Sequence, residues 1–392
     1  MNVLQLTLDT AVLDEAKTLG SEARRRQLGY VEELRRRVPG SRLFIVVRCA
    51  PGTGGAGRSI VLADGLEVHA APSSPLGFIS ASYRYGRALR RQYGLDLVTS
   101  QTPFVDGLAA WLLKSRCNVK WLAQMVMSRL DNPYWLAESR ANYARSWLGK
   151  LVLPRGDAVR VMSSGVGDWV CRSLGVPPER IFVLPVGTAL VAEPVPVPEA
   201  QTTSGDVLYV GRLSREKGVS SLLQAFQHIQ NTLPTTWDRV PTLVIVGDGP
   251  ERSSLEKLAA TLGLQGKVRF AGMVPHAQLP SFFAGAGVVV VPSLHESYGR
   301  VIVEAMAFGR AVVATDTDGA RDLIQDGETG LVVPIQDAAA LADQIRYLLS
   351  NPQVAQRMGE AAREFVMRTQ DPQALRRAQV DMWLKVAGQE SS

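Results

Sequence analysis

The stretch VVVVPSLHESYGRVIVEAMAFGRAVVATDTDG, residues 288–319, changes its periodicity twice. Val288–Val291 is an unbroken β-branched run, the composition of a strand covered on both faces. Gly299 then opens a segment with helical spacing, GRVIVEAMAFG, that stops at Gly309, and AVVATD (311–316) is apolar again. Strand, loop, helix and strand in this order make a βαβ unit, which requires a parallel sheet. Two acids flank the glycine: Glu296 precedes it and Glu304 lies about a turn inside the helix. At about 100° per residue, eight steps leave these acids well apart around the axis, so they are not a pair on one helical face.

Working outward, the same alternation continues on both sides. DVLYVG (206–211), TLVIVGD (242–248), VRFAG (268–272) and LVVP (331–334) read as further strands. KGVSSLLQAFQHI, PERSSLEKLAATLG, HAQLPSFFAG, GARDLIQDG and DAAALADQIRYLLS read as helices between them. This predicts a doubly wound parallel sheet over residues 206–365, with ligands at the carboxyl ends of its strands. Residues 185–205, PVGTALVAEPVPVPEAQTTSG, are rich in Pro, Val and small polar residues and read as a linker or hinge, placed at 188–205. Residues 1–187 hold a second α/β domain: NVLQLTL, RLFIVVR, LEVHAAP, LDLVTSQ, VKWLAQMV, AVRVMSS and IFVLPV as strands, EARRRQLGYVEELRRRV and YRYGRALRRQYG as helices. The expectation is two Rossmann-like domains facing across a cleft, with a last helix in 366–392 packing back on the first.

Composition bounds the function. Hydrophobic residues make up 46% and charged residues 20% of 392, a globular balance. There is no apolar run of about 18 residues, and MNVLQLTLDT lacks the basic flank and cleavage site of a signal peptide, so a cytoplasmic protein is expected. Cys49, Cys117 and Cys171 are widely spaced and form no CxxC, which argues against a disulfide framework and a zinc site. Residues 1–190 carry 25 Lys and Arg against 15 Asp and Glu, and residues 191–392 carry 18 against 22. The basic first half suits an anionic partner or a solvated basic surface. No nucleic-acid motif accompanies it.

The βαβ unit carries the chemistry. A helix N-terminus presents N–H groups and the positive end of a dipole to an anion, and Gly299 allows close approach. Carboxylates on either side can accept hydrogen bonds from sugar diols, so Glu296, the turn and Glu304 read as sugar, phosphate, sugar. The loop GRLSREKG, after the strand 206–211, supplies Arg212 and Lys217 as compensating cations.

YVGRLSREKG, VGDGPERSSLEKLA, VRFAG, the opening stretch and GETGLVVP cover about residues 207–335 in the order found in family 4 glycosyltransferases, and the chain resembles that family, with its α/β GT-B fold. The resemblance implies a retaining sugar transfer without a metal ion or other cofactor. It implies that Arg212 and Lys217 bind the donor pyrophosphate beside Gly211, that Glu304 binds the ribose hydroxyls, and that Glu296, the third residue expected to be catalytic, binds the transferred sugar. The turn Ser297, Tyr298, Gly299, Arg300 and Val301 would supply amides to phosphate or sugar oxygens. GDGPE (247–251) is a glycine turn opening a helix, with a nucleobase contact at Asp248 as the functional alternative. DTD at 316–318 matches a manganese-binding pattern of other glycosyltransferases, but it falls where this family has Thr-Asp-x-Gly-Gly, with Asp318 in place of a glycine, and reads as coincidence.

In the first half, SQTPFVDGLAAWLLKSR and DNPYWLAESRANYARSWLGKLVLPRGDAVRVMSSGV resemble bacterial surface-glycan and exopolysaccharide glycosyltransferases. The places where such relatives carry a His, a nearby acid and a further acid fall near Val126, Ser128 and Thr102, and the glycine-rich first loop is reduced to LGSEARRRQ. Asp106 and Asp131 are the acceptor-side candidates, each with a loop or cap role as the alternative. In a retaining front-face transfer the leaving phosphate can take the acceptor proton, so a protein base is not mandatory. The acceptor expected is a glycan or lipid-linked sugar. The alternatives are a catalytically silent nucleotide-sugar-binding or scaffold subunit and a nucleotide-sugar epimerase. Arg24, Arg25 and Arg26 recur after eleven residues as Arg35, Arg36 and Arg37, close to three helical turns. Arg84, Arg87 and Arg91 follow i, i+3, i+7 with Tyr83, Tyr85 and Tyr93 nearby. These helices are expected to dock on an anionic membrane or to form solvated faces, with Leu28, Val31, Leu34 and Val38 packed inward.

Overall fold

The computed structural model describes residues 1–13, 22–49, 57–127, 129–187, 205–233 and 240–389. Residues 188–204 of the expected linker, residues 19–21 of LGSEARRRQ and Ser128 lie outside them. The chain divides into two units, Met1–Val186 with Gln373–Ser392, and Gly187–Pro372.

The first unit contains β1 (Asn2–Thr7), α1 (Glu22–Arg37), β2 (Arg42–Arg48), β3 (Ser59–Ala63), β4 (Leu66–Ala71), α2 (Pro75–Gln92) and β5 (Leu97–Ser100). It continues with α3 (Val105–Cys117), β6 (Lys120–Met125), α4 (Pro133–Glu138), α5 (Arg140–Val152), β7 (Ala158–Val161), α6 (Ser164–Leu174) and β8 (Ile181–Val183). The sheet order is β3-β4-β2-β1-β5-β6-β7-β8, parallel except for the antiparallel pair β3–β4. Strand alternation sends Leu4, Leu6, Phe44 and Val46 into one buried cluster and Val3, Leu43, Ile45 and Val47 into another on the opposite face. Both faces are covered, which is why these strands read as continuous apolar runs. The reading missed β3 because an edge strand with half its residues in water has no such run. Helix α2 begins at Pro75, ahead of the expected YRYGRALRRQYG, with the Ser74 hydroxyl accepting from the Gly77 amide. Gly77, Ser80 and Ser82 dilute its apolar pattern.

The second unit contains β9 (Asp206–Val210), α7 (Val219–Asn231), β10 (Leu243–Val246), α8 (Arg252–Thr261), β11 (Val268–Gly272), α9 (Leu279–Gly285) and β12 (Ala286–Val291). It ends with α10 (Arg300–Ala307), β13 (Val312–Thr315), α11 (Asp318–Leu323), β14 (Leu331–Val333), α12 (Ala338–Ser350) and α13 (Pro352–Thr369). All pairs are parallel in the order β11-β10-β9-β12-β13-β14. The chain winds outward from β9 to β11, then returns to the other side of β9 with β12. The reversal lies between β9 and β12, where a doubly wound sheet opens a crevice at its carboxyl end.

The last helix, α14 (Pro372–Ala387), belongs to the first unit. Its Trp383 is 1% exposed and meets Tyr30 of α1 edge-on at 5.5 Å. Its Gln379 accepts a 2.6 Å bond from Arg160, a buried guanidinium that also donates to Gln124 and to the carbonyls of Leu184 and Pro185.

Trp383→Ala should lower the stability of the first unit by about 3–5 kcal/mol, the usual cost of removing a buried aromatic ring. Hydrogen exchange of β1 and β2 amides would read it; a loss below about 1 kcal/mol would mean that α14 is not part of that core.

Candidate functional site

At the carboxyl end of β9 the chain turns through Gly211–Gly218, and backbone contacts sew this loop to its neighbours. The Tyr209 hydroxyl donates to the Arg212 carbonyl at 2.9 Å, and the Leu213 amide donates to the Asp248 carbonyl at 2.9 Å. Burial, with Glu296 and Glu216 nearby, holds the Tyr209 phenol above its usual range, so it stays a donor. Across the strand reversal, the Leu294 amide donates to the Glu216 carbonyl at 2.7 Å. Gly218 has φ +64°, and a Cβ there would sit 2.0 Å from the Pro292 carbonyl oxygen. Only glycine allows the two loops to come this close.

The contact brings together residues 79 apart in sequence: the Lys217 ammonium donates to Glu296 Oε2 at 2.6 Å, with the side chains 24% and 17% exposed. The Glu296 carbonyl accepts from the Gly319 amide at 2.9 Å, which ties in the first turn of α11. Beyond Glu296, Gly299 caps α10 at φ +89° with no side-chain bond to its first turn. Glu304 is 4% exposed, with Arg300 Nη2 3.7 Å from its Oε1. Ser297 and Val301 are half-buried at the turn. Tyr298 is buried, and its hydroxyl donates to Gln370 Oε1 at 2.8 Å, so the ring anchors the turn and only its backbone faces the site.

Arg212 is exposed on the same loop as Lys217. Asp248 is engaged in its own turn: one oxygen accepts from the Gly249 amide at 2.7 Å and the other meets Arg252 at 3.0 Å. Those two donors hold its carboxyl below the usual range. In the DTD stretch, Arg321 forks onto both oxygens of Asp316 at 2.6 and 2.8 Å, and Asp318 opens α11. Among the described residues no group of three or more His, Cys, Asp or Glu could hold a metal ion. Two residues escaped the reading. The hydroxyls of Ser214 and Ser293 are buried in the loops after β9 and β12 without a protein partner. Serines in a loop carry no periodic signal, and only their placement beside Lys217 and Glu296 distinguishes them.

The first unit corrects several expectations. Asp106 is 0% exposed, accepts from the Thr102 amide at 2.6 Å and from the Thr102 hydroxyl, and has no surface for an acceptor; it sits in the first turn of α3 and ties that turn to the preceding loop. Burial raises its carboxyl to about 6. Asp131 keeps an exposed side chain while accepting from the Trp169 indole at 2.8 Å. His69 stacks on Tyr85 at 4.5 Å and bonds Ser59, a structural role. Val31 and Leu34 are buried and Leu28 and Val38 pack against the same cluster, as their spacing required. Of the tyrosines near these arginines, Tyr83 and Tyr85 pack on the core, Tyr85 donating to Glu67 at 2.7 Å, and Tyr93, 37% exposed just after α2, stacks on Phe44. The arginines of α1 are largely engaged: Arg35 with Asp64 at 2.6 Å, Arg36 and Arg37 with Glu33, Arg37 also with Asp381, and Arg26 with Asp9 at 4.0 Å.

Residues 195–365 match the family described as glycosyl transferases group 1, and residues 22–187 match the glycosyl transferase 4-like domain. The chain is 31% identical over 298 residues to the alpha-D-kanosaminyltransferase of Streptomyces kanamyceticus, covering 71% of this chain and 74% of that protein. It is 32% identical over 310 residues to the D-inositol 3-phosphate glycosyltransferase of Corynebacterium urealyticum, covering 72% and 70%. Among solved structures, a sucrose-phosphate synthase from Thermosynechococcus elongatus superimposes with a TM-score of 0.79 at 24% identity, over 99% of this chain and 100% of that one. Anabaena HepE in complex with UDP-glucose gives a TM-score of 0.71 at 19% identity, over 98% and 99%. The loops at the strand reversal therefore sit in a recognised framework, and the chain belongs to glycosyltransferase family 4, as a glycosyltransferase of the GT-B fold.

Proposed function

We propose that the chain is a retaining glycosyltransferase that moves a hexose-type sugar from a UDP- or GDP-sugar to a glycan or lipid-linked acceptor in cell-envelope or exopolysaccharide synthesis. The observation that carries this reading is the meeting of the loops after β9 and β12. It places Lys217 2.6 Å from Glu296 at one end of an α10 N-terminus whose other side holds the buried Glu304. Arg212, Lys217 and the amides from Tyr298 to Val301 answer the charge of a pyrophosphate. Glu304 accepts from the ribose hydroxyls and Glu296 from the transferred sugar. The solved HepE complexes with UDP and with UDP-glucose favour a uridine nucleotide.

The transfer is metal-independent in this reading, because protein cations and the helix dipole stabilise the leaving diphosphate. The acceptor oxygen bonds the anomeric carbon as the bond to the phosphate oxygen breaks, and the acceptor proton passes to that phosphate. No protein base is required, which agrees with the burial of Asp106. Asp131 is the remaining acceptor-side carboxylate among the candidates. Action at the inner face of the membrane belongs to the same proposal. The exposed Arg84, Arg87 and Arg91 of α2 support it, and no helix among the described residues is long and apolar enough to cross a membrane.

Arg212→Ala and Glu304→Ala should each weaken nucleotide-sugar binding while the fold persists, by about 1.5–3 kcal/mol for a lost charge-assisted hydrogen bond. Calorimetry across UDP-, GDP- and ADP-sugars would check this, and unchanged affinity in both variants would sink the donor assignment.

Glu296→Gln keeps an acceptor for Lys217 and should lower turnover more than affinity for the bare nucleotide. If it weakens UDP or GDP as much as Glu304→Ala does, the two carboxylates have exchanged roles. An inverted anomer in the product, seen by NMR, would refute retention.

A further inference from the structure

The second unit has another concave site, at the end of the sheet away from the loops just described. A cavity of 790 Å³ opens where the chain enters β9 and β13 and passes the start of β12, bounded by Gly205, Gly287 and Arg310 and by residues of α12 and α13. The volume suits a small-molecule ligand. Donor-site residues follow the carboxyl ends of β9 and β12, so the two sites are separated by the length of the strands.

Arg310 is the unusual group. It is 5% exposed, Nη1 reaches the Ala286 carbonyl at 3.3 Å, and Nε and Nη2 are buried without a partner. A guanidinium stays charged even when burial disfavours it, and buried charge is normally paired. Among the described residues no carboxylate forms an ion pair with Arg310, nor with Arg363, a second, half-buried arginine on the same wall. The one acid lining the cavity, Glu360, accepts from Gln356 at 3.0 Å. Phe308 and Leu349 give the wall an apolar portion. Two guanidiniums against one carboxylate, with glycines that leave backbone exposed and an apolar wall, are the chemistry of an oxyanion attached to a small organic body.

We infer that this cavity is a second ligand site, for a small phosphorylated metabolite, separate from the donor site. Arg310 and Arg363 fork onto the phosphate, and the apolar wall takes the remainder. Because α13 continues to Gln370, which holds the Tyr298 hydroxyl at the donor-site turn, occupancy of the cavity bears on an element that both sites share.

The test uses thermal melting of the full chain with sodium phosphate at constant ionic strength, and with sodium acetate in parallel. The donor site also favours phosphate, so the Arg212→Ala Lys217→Ala double variant is melted alongside. Phosphate should raise the melting temperature of the wild type and the double variant alike, and acetate should raise neither. Arg363→Ala should move the phosphate midpoint by at least about tenfold, as for a lost charged fork, while its nucleotide affinity stays that of the wild type. Arg310→Gln should behave likewise; Arg363→Ala, closer to the surface, decides if Arg310→Gln does not fold. The inference falls if the response vanishes in the double variant, if Arg363→Ala leaves the midpoint in place, if acetate works as well as phosphate, or if ~20 mM phosphate gives no shift.

Discussion

The reversal of strand order between β9 and β12 is the constraint on which the second unit's chemistry depends. Right-handed crossovers send helices to opposite faces on the two sides of that point, so the loops leaving β9 and β12 diverge and leave a crevice. Here the crevice is closed at its base by backbone alone: Gly218 lies against Pro292, and the Leu294 amide is held by Glu216. Lys217 and Glu296 then meet as a consequence of the topology. The pair holds each partner in place across the two loops.

The first unit uses a buried charge differently. Arg160 donates to Leu184, Pro185, Gln124 and Gln379, so every neighbouring acceptor is neutral. This guanidinium is satisfied, and it fastens both the segment leaving β8 and the last helix to the sheet. Arg310 is the contrast: the same residue type, similarly buried, with one bond to the Ala286 carbonyl and two nitrogens without a protein partner. Satisfaction by fixed acceptors marks a structural role, and its absence calls for a separate explanation.

The acceptor side shows how local bonding overrides a residue's chemical promise. Asp106 is one of the two acceptor-side candidates that the sequence offers. In the fold it turns inward to the Thr102 amide and hydroxyl. The arginines of α1 likewise read as a basic face, and Glu33 of the same helix, with Asp64 and Asp381 from neighbouring elements, meets several of them.

The sequence by itself determined the α/β class, most of the parallel strands and the places of the loops after β9 and β12, because burial on both faces writes unbroken apolar runs and glycine turns into the chain. It determined that Glu296, Gly299 and Glu304 surround a helix start, since that follows from spacing within one βαβ unit. Edge strand β3 was invisible, being half in water. Only the tertiary structure decided that Lys217 reaches Glu296, that Tyr298 turns its ring to Gln370, that Asp106 is sealed and that two nitrogens of Arg310 are left without a protein partner. The first two depend on which distant side chain arrives within hydrogen-bond reach, pairings across tens of residues that leave no periodicity to read, and the last two on how the surrounding elements pack.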